Sequence, residues 1–120
     1  MGEFAEALRL LAKVLDRVER TGERWFEAEL YRLKGGVMLS LPEDDGREAE
    51  GCFRRALDIA RHQQAKSWEL RAATSLARLR RDQGRRVEAR ELLAPVYGWF
   101  TEGFDTADLK DAKALLDELA

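Results

Sequence analysis

The sequence predicts an all-α protein, a single domain in which about six helices form a stack of antiparallel hairpins. The first observation is a repeat: three trios of small or apolar residues recur at identical offsets about 40 residues apart, a period typical of stacked helical hairpins. The trios are Ala7, Leu11 and Val14, then Ala49, Phe53 and Ala56, then Ala89, Leu93 and Val96. The second is composition, since 45% hydrophobic and 37% charged residues with only 2 prolines favour soluble helices. The third is that apolar residues recur with helical periodicity along most of the chain.

The first three predicted helices cover residues 3–20, 23–41 and 46–64. The apolar residues of the first fall on one side of a helix, and Gly22 follows its end. The second is apolar around most of its circumference, so it should lie between neighbouring helices. Its Gly35 and Gly36 should let another helix approach closely, because each destabilises a helix interior by about 1 kcal/mol relative to alanine. Asp45 should cap the third helix, with Glu48 as its reciprocal partner.

The last three predicted helices cover residues 67–83, 85–101 and 106–119. Gly84 lies where the fourth helix is expected to end, because glycine readily adopts the left-handed conformation found at helix ends. Pro95 lies inside the fifth helix, lacks an N–H donor and should bend it. Gly103 separates the fifth helix from the sixth. The sixth has one apolar stripe and one polar side, as expected of a helix that closes the end of a stack.

Two segments carry the residues that characterise one class of helical repeat. In the best-matching segment these are Leu76-Ala77, Gly84, Ala89 and Leu93, and in the middle of the chain they are Tyr31, Gly35, Ala49, Phe53 and Ala56. The pattern resembles the tetratricopeptide repeat. The resemblance implies a right-handed solenoid of about two and a half repeats, in which the first helix of each pair lines a concave groove that binds a peptide or protein segment.

A longer resemblance covers residues 20–120. It is carried by TGERWFEAELYRLKGG, CFRRALDIAR and, most specifically, LLAPVYGWFTEGFDTADL. These segments look like the C-terminal tail of large bacterial signalling proteins, which combine a nucleotide cyclase domain, a signalling ATPase domain and a tetratricopeptide array. The resemblance implies a regulatory, protein-binding segment. Neither the metal-binding aspartates of the cyclase nor a phosphate loop occurs here, so no enzymatic activity, catalytic residue, cofactor or metal is expected of this chain.

The candidate binding residues form a polar stripe on the fourth predicted helix. They are Arg71, Thr74, Arg78 and Arg81, whose spacing places them opposite the apolar side of that helix. By similarity to tetratricopeptide repeats they line the groove together with Glu29 and Arg32 of the second helix. Arginines in such a groove can bind carboxylates with two hydrogen bonds each, so the predicted partner is a protein or an acidic peptide. A merely solvated helix face is the structural alternative.

Charge distribution keeps a second function open. Residues 67–90 contain seven arginines against three acidic residues, although the whole chain has a net charge of −2. A nucleic-acid-associated regulator that uses the cluster from Arg78 to Arg86 is therefore an alternative. It is less favoured, because aromatic residues are not interleaved with the arginines and the chain has no overall basic excess.

The remaining polar candidates favour structural roles. Cys52 and His62 are the only residues of their types, and their separation along one helix, about 15 Å, is too long for a nucleophile and its base. Glu43, Asp44 and Asp45 are adjacent rather than alternating, so a loop is favoured over a calcium site. A single cysteine, and no apolar run near the ~18 residues of a membrane span, indicate a cytoplasmic protein without a membrane partner.

The first predicted helix suggests a third possibility, a structural or self-associating segment. The resemblance implies that this helix is the second half of a repeat whose partner helix is missing. Its apolar face would then be open to another protein surface, and a homodimer through this helix is possible. The residues of that face are Phe4, Leu8, Leu11 and Leu15.

Overall fold

The computed structural model describes residues 2–21, 26–41 and 45–120, without the side chains of Phe4 and Thr21. These segments form helices and connecting turns, with no strand among the described residues. In chain order the helices are α1 (Gly2–Thr21), α2 (Glu27–Leu39), α3 (Arg47–His62), α4 (Lys66–Asp82), α5 (Arg86–Gly98) and α6 (Ala107–Leu119). The predicted all-α class is confirmed.

The hairpins pack into two layers around α4. Each helix contacts the next in the chain, and α4 also contacts α2 and α6. Helices α2, α4 and α6 therefore lie side by side in one layer, while α3 and α5 pack against it. Of the described helices, α1 contacts only α2. The right-handed sense of the stack stays a prediction.

The helix limits differ most from the predicted ones in α5, which was expected to continue to residue 101. It ends at Gly98. The N–H groups of Trp99 and Phe100 donate to the carbonyls of Val96 and Tyr97, at 3.3 and 3.2 Å. These tighter bonds close the last turn, and Phe100 then packs against the core. The predicted start of α2 at residue 23 lies outside the described residues, and α2 ends at Leu39 rather than at residue 41.

Glycines determine two of the helix ends. Gly84 has φ of 79°, and the N–H of Arg85 donates to the carbonyl of Arg80 at 2.7 Å, as in a helix that ends on a left-handed glycine. At the start of α3 the capping residue is Gly46 rather than the predicted Asp45. Asp45 still contributes, since its Oδ1 accepts a hydrogen bond from the N–H of Arg47 at 3.1 Å.

The repeated trios form the core in two of the three cases. The trios of α3 and α5 are buried, with Ala49, Ala56, Ala89 and Leu93 fully enclosed. In α1 the corresponding Ala7 and Leu11 are only half-buried, and Val14 is exposed. The difference follows from the packing, because α1 has a neighbouring helix on one side only.

Gly35 is a point of close approach between α2 and α3. A β-carbon added at Gly35 would lie 2.6 Å from Cε1 of Phe53, whereas one added at Gly36 would meet nothing within 4 Å. The predicted close approach is therefore confirmed for the first glycine and absent at the second. No helix in the described part of the chain has the length and apolar character needed to cross a bilayer.

Candidate partner-binding cleft

The layer of α2, α4 and α6 brings most of the predicted binding residues together. They line a cleft of about 90 Å³, which we call the central cleft. Its lining consists of Arg32 from α2, Arg71, Thr74, Ser75 and Arg78 from α4, and Asp108 and Asp111 from α6. The helical spacing of the α4 residues places them on the side of that helix that lies between α2 and α6.

Glu29 is the acceptor at the α2 side of the cleft. Its carboxylate accepts hydrogen bonds from Arg32 Nε, at 3.0 and 3.1 Å, and lies 3.0 Å from Nη1 of Arg71. Arg71 Nε is also 3.5 Å from Oδ1 of Asp108. The side chains of Glu29 and Arg32 are largely shielded from water, which strengthens charged hydrogen bonds relative to surface pairs. Arg71 therefore joins α2 to α6 across α4.

Arg78 has the weakest partner of the cleft arginines. Its Nη2 lies 4.0 Å from Oδ2 of Asp111, at the limit of an ion pair. The Arg78 side chain is 46% exposed and that of Asp111 is 62% exposed. A pair this long and this exposed contributes little to stability. Both groups are therefore accessible to a partner.

Arg81 lies at the end of α4 and holds the end of α6. It is 3.0 Å from Oδ1 of Asp82 and 2.7 Å from Oε2 of Glu118. The hydrogen bond with Asp82 is the main cause that raises the pKa of Arg81 above its ordinary value, and Glu118 adds to it. Arg81 is not among the residues that line the central cleft.

Thr74 lies in the lining of the cleft but is more buried than a binding residue would be. It is only 5% exposed, and its hydroxyl donates to the carbonyl of Leu70 at 2.7 Å. The helices on both sides of α4 cover this position, and the hydroxyl satisfies its hydrogen bond within its own helix. Thr74 therefore forms part of the floor of the cleft and is not a free donor.

Sequence reasoning missed the acidic residues of α6 that face the arginines. Three pairs run along the two helices in the same order: Arg71 with Asp108, Arg78 with Asp111, and Arg81 with Glu118. We call these pairs the α4–α6 ladder. Helices α4 and α6 must therefore run parallel. The sequence does contain a pattern that could have identified them, because Asp108, Asp111 and Glu118 are spaced so that they fall on one side of α6. The arginines of the predicted stripe therefore have carboxylate partners on α6 and are not simply solvated.

The central cleft is balanced in charge. Three arginines and two aspartates line it: Arg32, Arg71, Arg78, Asp108 and Asp111. Glu29 is not among the lining residues, but its carboxylate pairs with Arg32 and Arg71 and so balances the third arginine. Arginine stays protonated in proteins, and carboxylates are ionised near neutral pH. The cleft can therefore donate hydrogen bonds to an incoming carboxylate and accept them from an incoming ammonium group.

The arginines after α4 also have partners within the chain. Arg85 Nε donates to Glu88 at 2.6 Å, and its Nη1 donates to Glu50 of α3 at 3.1 Å. The hydrogen bond with Glu88 is the main cause that raises the pKa of Arg85. Arg86 donates to the backbone carbonyl of Glu118. These contacts fasten the α4–α5 turn to α3 and α6.

The other polar candidates remain separate from the cleft. Cys52 is half-buried and His62 is exposed at the end of the same helix, so they do not form a reactive pair. A wider depression of about 830 Å³ follows α3 and is lined by residues of both charges, including Arg54 and Asp58. Glu43 and Asp44 lie outside the described residues. Within the described segments no three His, Cys, Asp or Glu residues are grouped to hold a metal ion.

The predicted self-association face of α1 is largely covered. Leu15 is buried, and Leu8 and Leu11 are half-buried, because this side of α1 faces α2. The side chain of Phe4 lies outside the described part. Leu10 and Val14 are exposed instead, on a neighbouring side of the helix.

Comparison of the chain with family models, with curated proteins and with solved structures finds no match. A function can therefore be proposed only from the chemistry of the chain itself, including that of the central cleft. Guanidinium and carboxylate groups lie 3.0 to 4.0 Å apart along it. Such groups recognise charged side chains of a partner.

Proposed function

We propose that this chain is a non-catalytic protein-interaction module that binds an extended segment of a partner protein in the central cleft. The observation that carries the proposal is the Arg78–Asp111 pair, which is 4.0 Å apart and about half exposed. The same role is expected from the resemblance to tetratricopeptide repeats in bacterial signalling proteins. In such a protein the module would act as a regulatory docking segment.

The size of the cleft supports a partner side chain as its occupant. Pockets for small molecules and cofactors usually measure about 300–1,000 Å³. The central cleft has about 90 Å³, which is enough for one charged group of a longer ligand. The rest of such a ligand would lie along the surface formed by α2, α4 and α6.

The balance of positive and negative groups at the cleft indicates which charges a partner should carry. A purely acidic peptide would gain from Arg78 but would be repelled by Asp108 and Asp111. A segment that offers a carboxylate to Arg78 and an ammonium group to Asp111 replaces one weak pair with two new ones. We therefore expect a partner segment that carries neighbouring residues of both charges.

The test is a titration of the ¹⁵N-labelled protein with four alanine-based peptides of equal length, followed by NMR. The peptides contain an aspartate, a lysine, both residues, or neither. The peptide with both charges should bind most tightly and shift amide signals on α2, α4 and α6. Arg78→Ala should weaken that binding about tenfold, since charged hydrogen bonds contribute about 1.5–3 kcal/mol before solvent screening.

Arg90 provides the matched control, because it is an exposed arginine on α5 outside the cleft. Arg90→Ala should bind the peptides as the unaltered protein does. Equal binding of all four peptides, or an equal loss in both variants, would contradict the proposed use of the cleft. If amide signals shifted only on α3, the peptides would bind in the wider depression along that helix and not in the central cleft.

The nucleic-acid alternative has less support. Arg81, Arg85 and Arg86 each hold an acceptor within the chain, so few guanidinium groups of this cluster are left for phosphates. A duplex DNA titration separates the two functions. Phosphate binding should weaken by orders of magnitude as salt rises, whereas a neutral cleft that binds a peptide of both charges should respond weakly.

A further inference from the structure

Helix α1 carries an apolar surface that no described helix covers. It contacts only α2, through the side that contains the buried Leu15 and Val18. Leu10 is 55% exposed and Val14 is 37% exposed. Their positions, four residues apart, place them next to each other on one side of the helix. Together they form only a small apolar patch, and exposed apolar residues are common at protein surfaces, so the charged residues around them must indicate what binds there.

Charged residues flank this apolar pair in a definite order. At about 100° per residue, Glu3, Glu6, Leu10, Val14 and Arg17 fall within an arc about 80° wide, beside the buried side of α1. We call these five residues the α1 stripe. All five side chains are exposed. Along the helix the stripe is acidic first, apolar in the middle and basic at the end.

We propose that the α1 stripe binds a second copy of this chain, with the two α1 helices antiparallel. Measured along the axis from the midpoint between Leu10 and Val14, Glu6 lies about 9 Å to one side and Arg17 about 8 Å to the other. A two-fold axis at that midpoint places Glu6 of each copy opposite Arg17 of its partner. Leu10 and Val14 of both copies meet in the centre.

The choice of a second copy follows from this self-complementarity. A two-fold interface uses the same surface on both subunits, so that surface must match itself after rotation. The α1 stripe does so, because its acidic end meets its basic end. Glu6 is already paired with Arg9 at 3.2 Å, and Arg17 also has an interaction partner within the chain. These side chains are exposed, so such contacts are weak and can be exchanged for contacts with a second copy.

The size of the contact predicts a weak dimer. A stable interface buries about 1,200–2,000 Å² in total, which is more than one pair of short helices provides. The protein should therefore change from monomer to dimer as its concentration rises. Sedimentation velocity over a wide concentration range measures this change directly on the whole chain.

Leu10→Ser tests the apolar centre. It should weaken the dimer by about a hundredfold, because two leucine side chains are lost per dimer. Val87→Ser on α5 is the matched control, since Val87 is also exposed and lies outside the α1 stripe. Circular dichroism should show that both variants remain folded, because neither residue belongs to the core.

Charge reversal tests the antiparallel arrangement. Glu6→Arg alone, or Arg17→Glu alone, should weaken self-association about tenfold, since each change turns two attractive contacts into repulsive ones. An equal mixture of the two variant proteins should form a dimer again, because each then presents the charge that the other lacks. A monomer at all concentrations, equal behaviour of the two serine variants, or no dimer on mixing would overturn the proposal.

Discussion

Leu76→Ala is expected to lower the free energy of unfolding by about 2–5 kcal/mol, a large share of the 5–15 kcal/mol typical of a domain. Leu76 is 1% exposed and lies on α4, the helix that contacts α2, α3, α5 and α6. Removing its side chain leaves a cavity where these helices meet. Urea denaturation followed by circular dichroism measures the change.

Leu33 supplies the control for this prediction. It is also a helical leucine, but it is 43% exposed on α2. Leu33→Ala should change the free energy of unfolding by no more than about 0.5 kcal/mol. Similar losses in the two variants would mean that α4 is not the centre of the packed core.

Gly35→Ala is expected to lower the free energy of unfolding by about 1–3 kcal/mol, although alanine favours a helix more than glycine does. The added methyl group would lie 2.6 Å from Cε1 and 2.8 Å from Cδ1 of Phe53, far inside van der Waals contact. The phenyl ring is buried and cannot turn away into solvent. The measurement is again chemical denaturation.

The adjacent glycine should respond in the opposite direction. Gly36 has open space around it, so Gly36→Ala should raise the free energy of unfolding by about 0.5–1 kcal/mol. Phe53→Leu should be less damaging in the Gly35→Ala protein than in the unaltered one, because the clash is relieved. Stabilisation by both glycine replacements would show that α2 and α3 do not meet at Gly35.

Much of the fold was predictable because it depends on local periodicity. The trios of α3 and α5 are buried as expected, since their spacing determines one side of a helix wherever that helix packs. The end of α5 was placed too late, because it depends on the packing of Phe100, a tertiary contact. Close approach of another helix was expected at both Gly35 and Gly36, because helical spacing alone does not say which of the two neighbouring residues faces Phe53.

The arginines of the candidate site could be predicted from the sequence, but the residues that surround them in the structure could not. The stripe on α4 is visible in the spacing of Arg71, Arg78 and Arg81. Whether such a stripe faces water depends on α6, which comes more than 30 residues later in the chain. The same contact buries Thr74 and pairs the arginines with carboxylates, which is why the partner we propose carries both charges rather than acidic residues alone.

The α4–α6 ladder has a consequence for how the stack holds its shape. A slip of one helical turn, about 5.4 Å, would disrupt the close packing of the apolar side chains between the helices. The same slip would also separate Arg71 from Asp108 and Arg81 from Glu118. The ladder and the apolar core therefore favour the same axial position of α6 along α4, and this position determines the shape of the surface that α2, α4 and α6 form together.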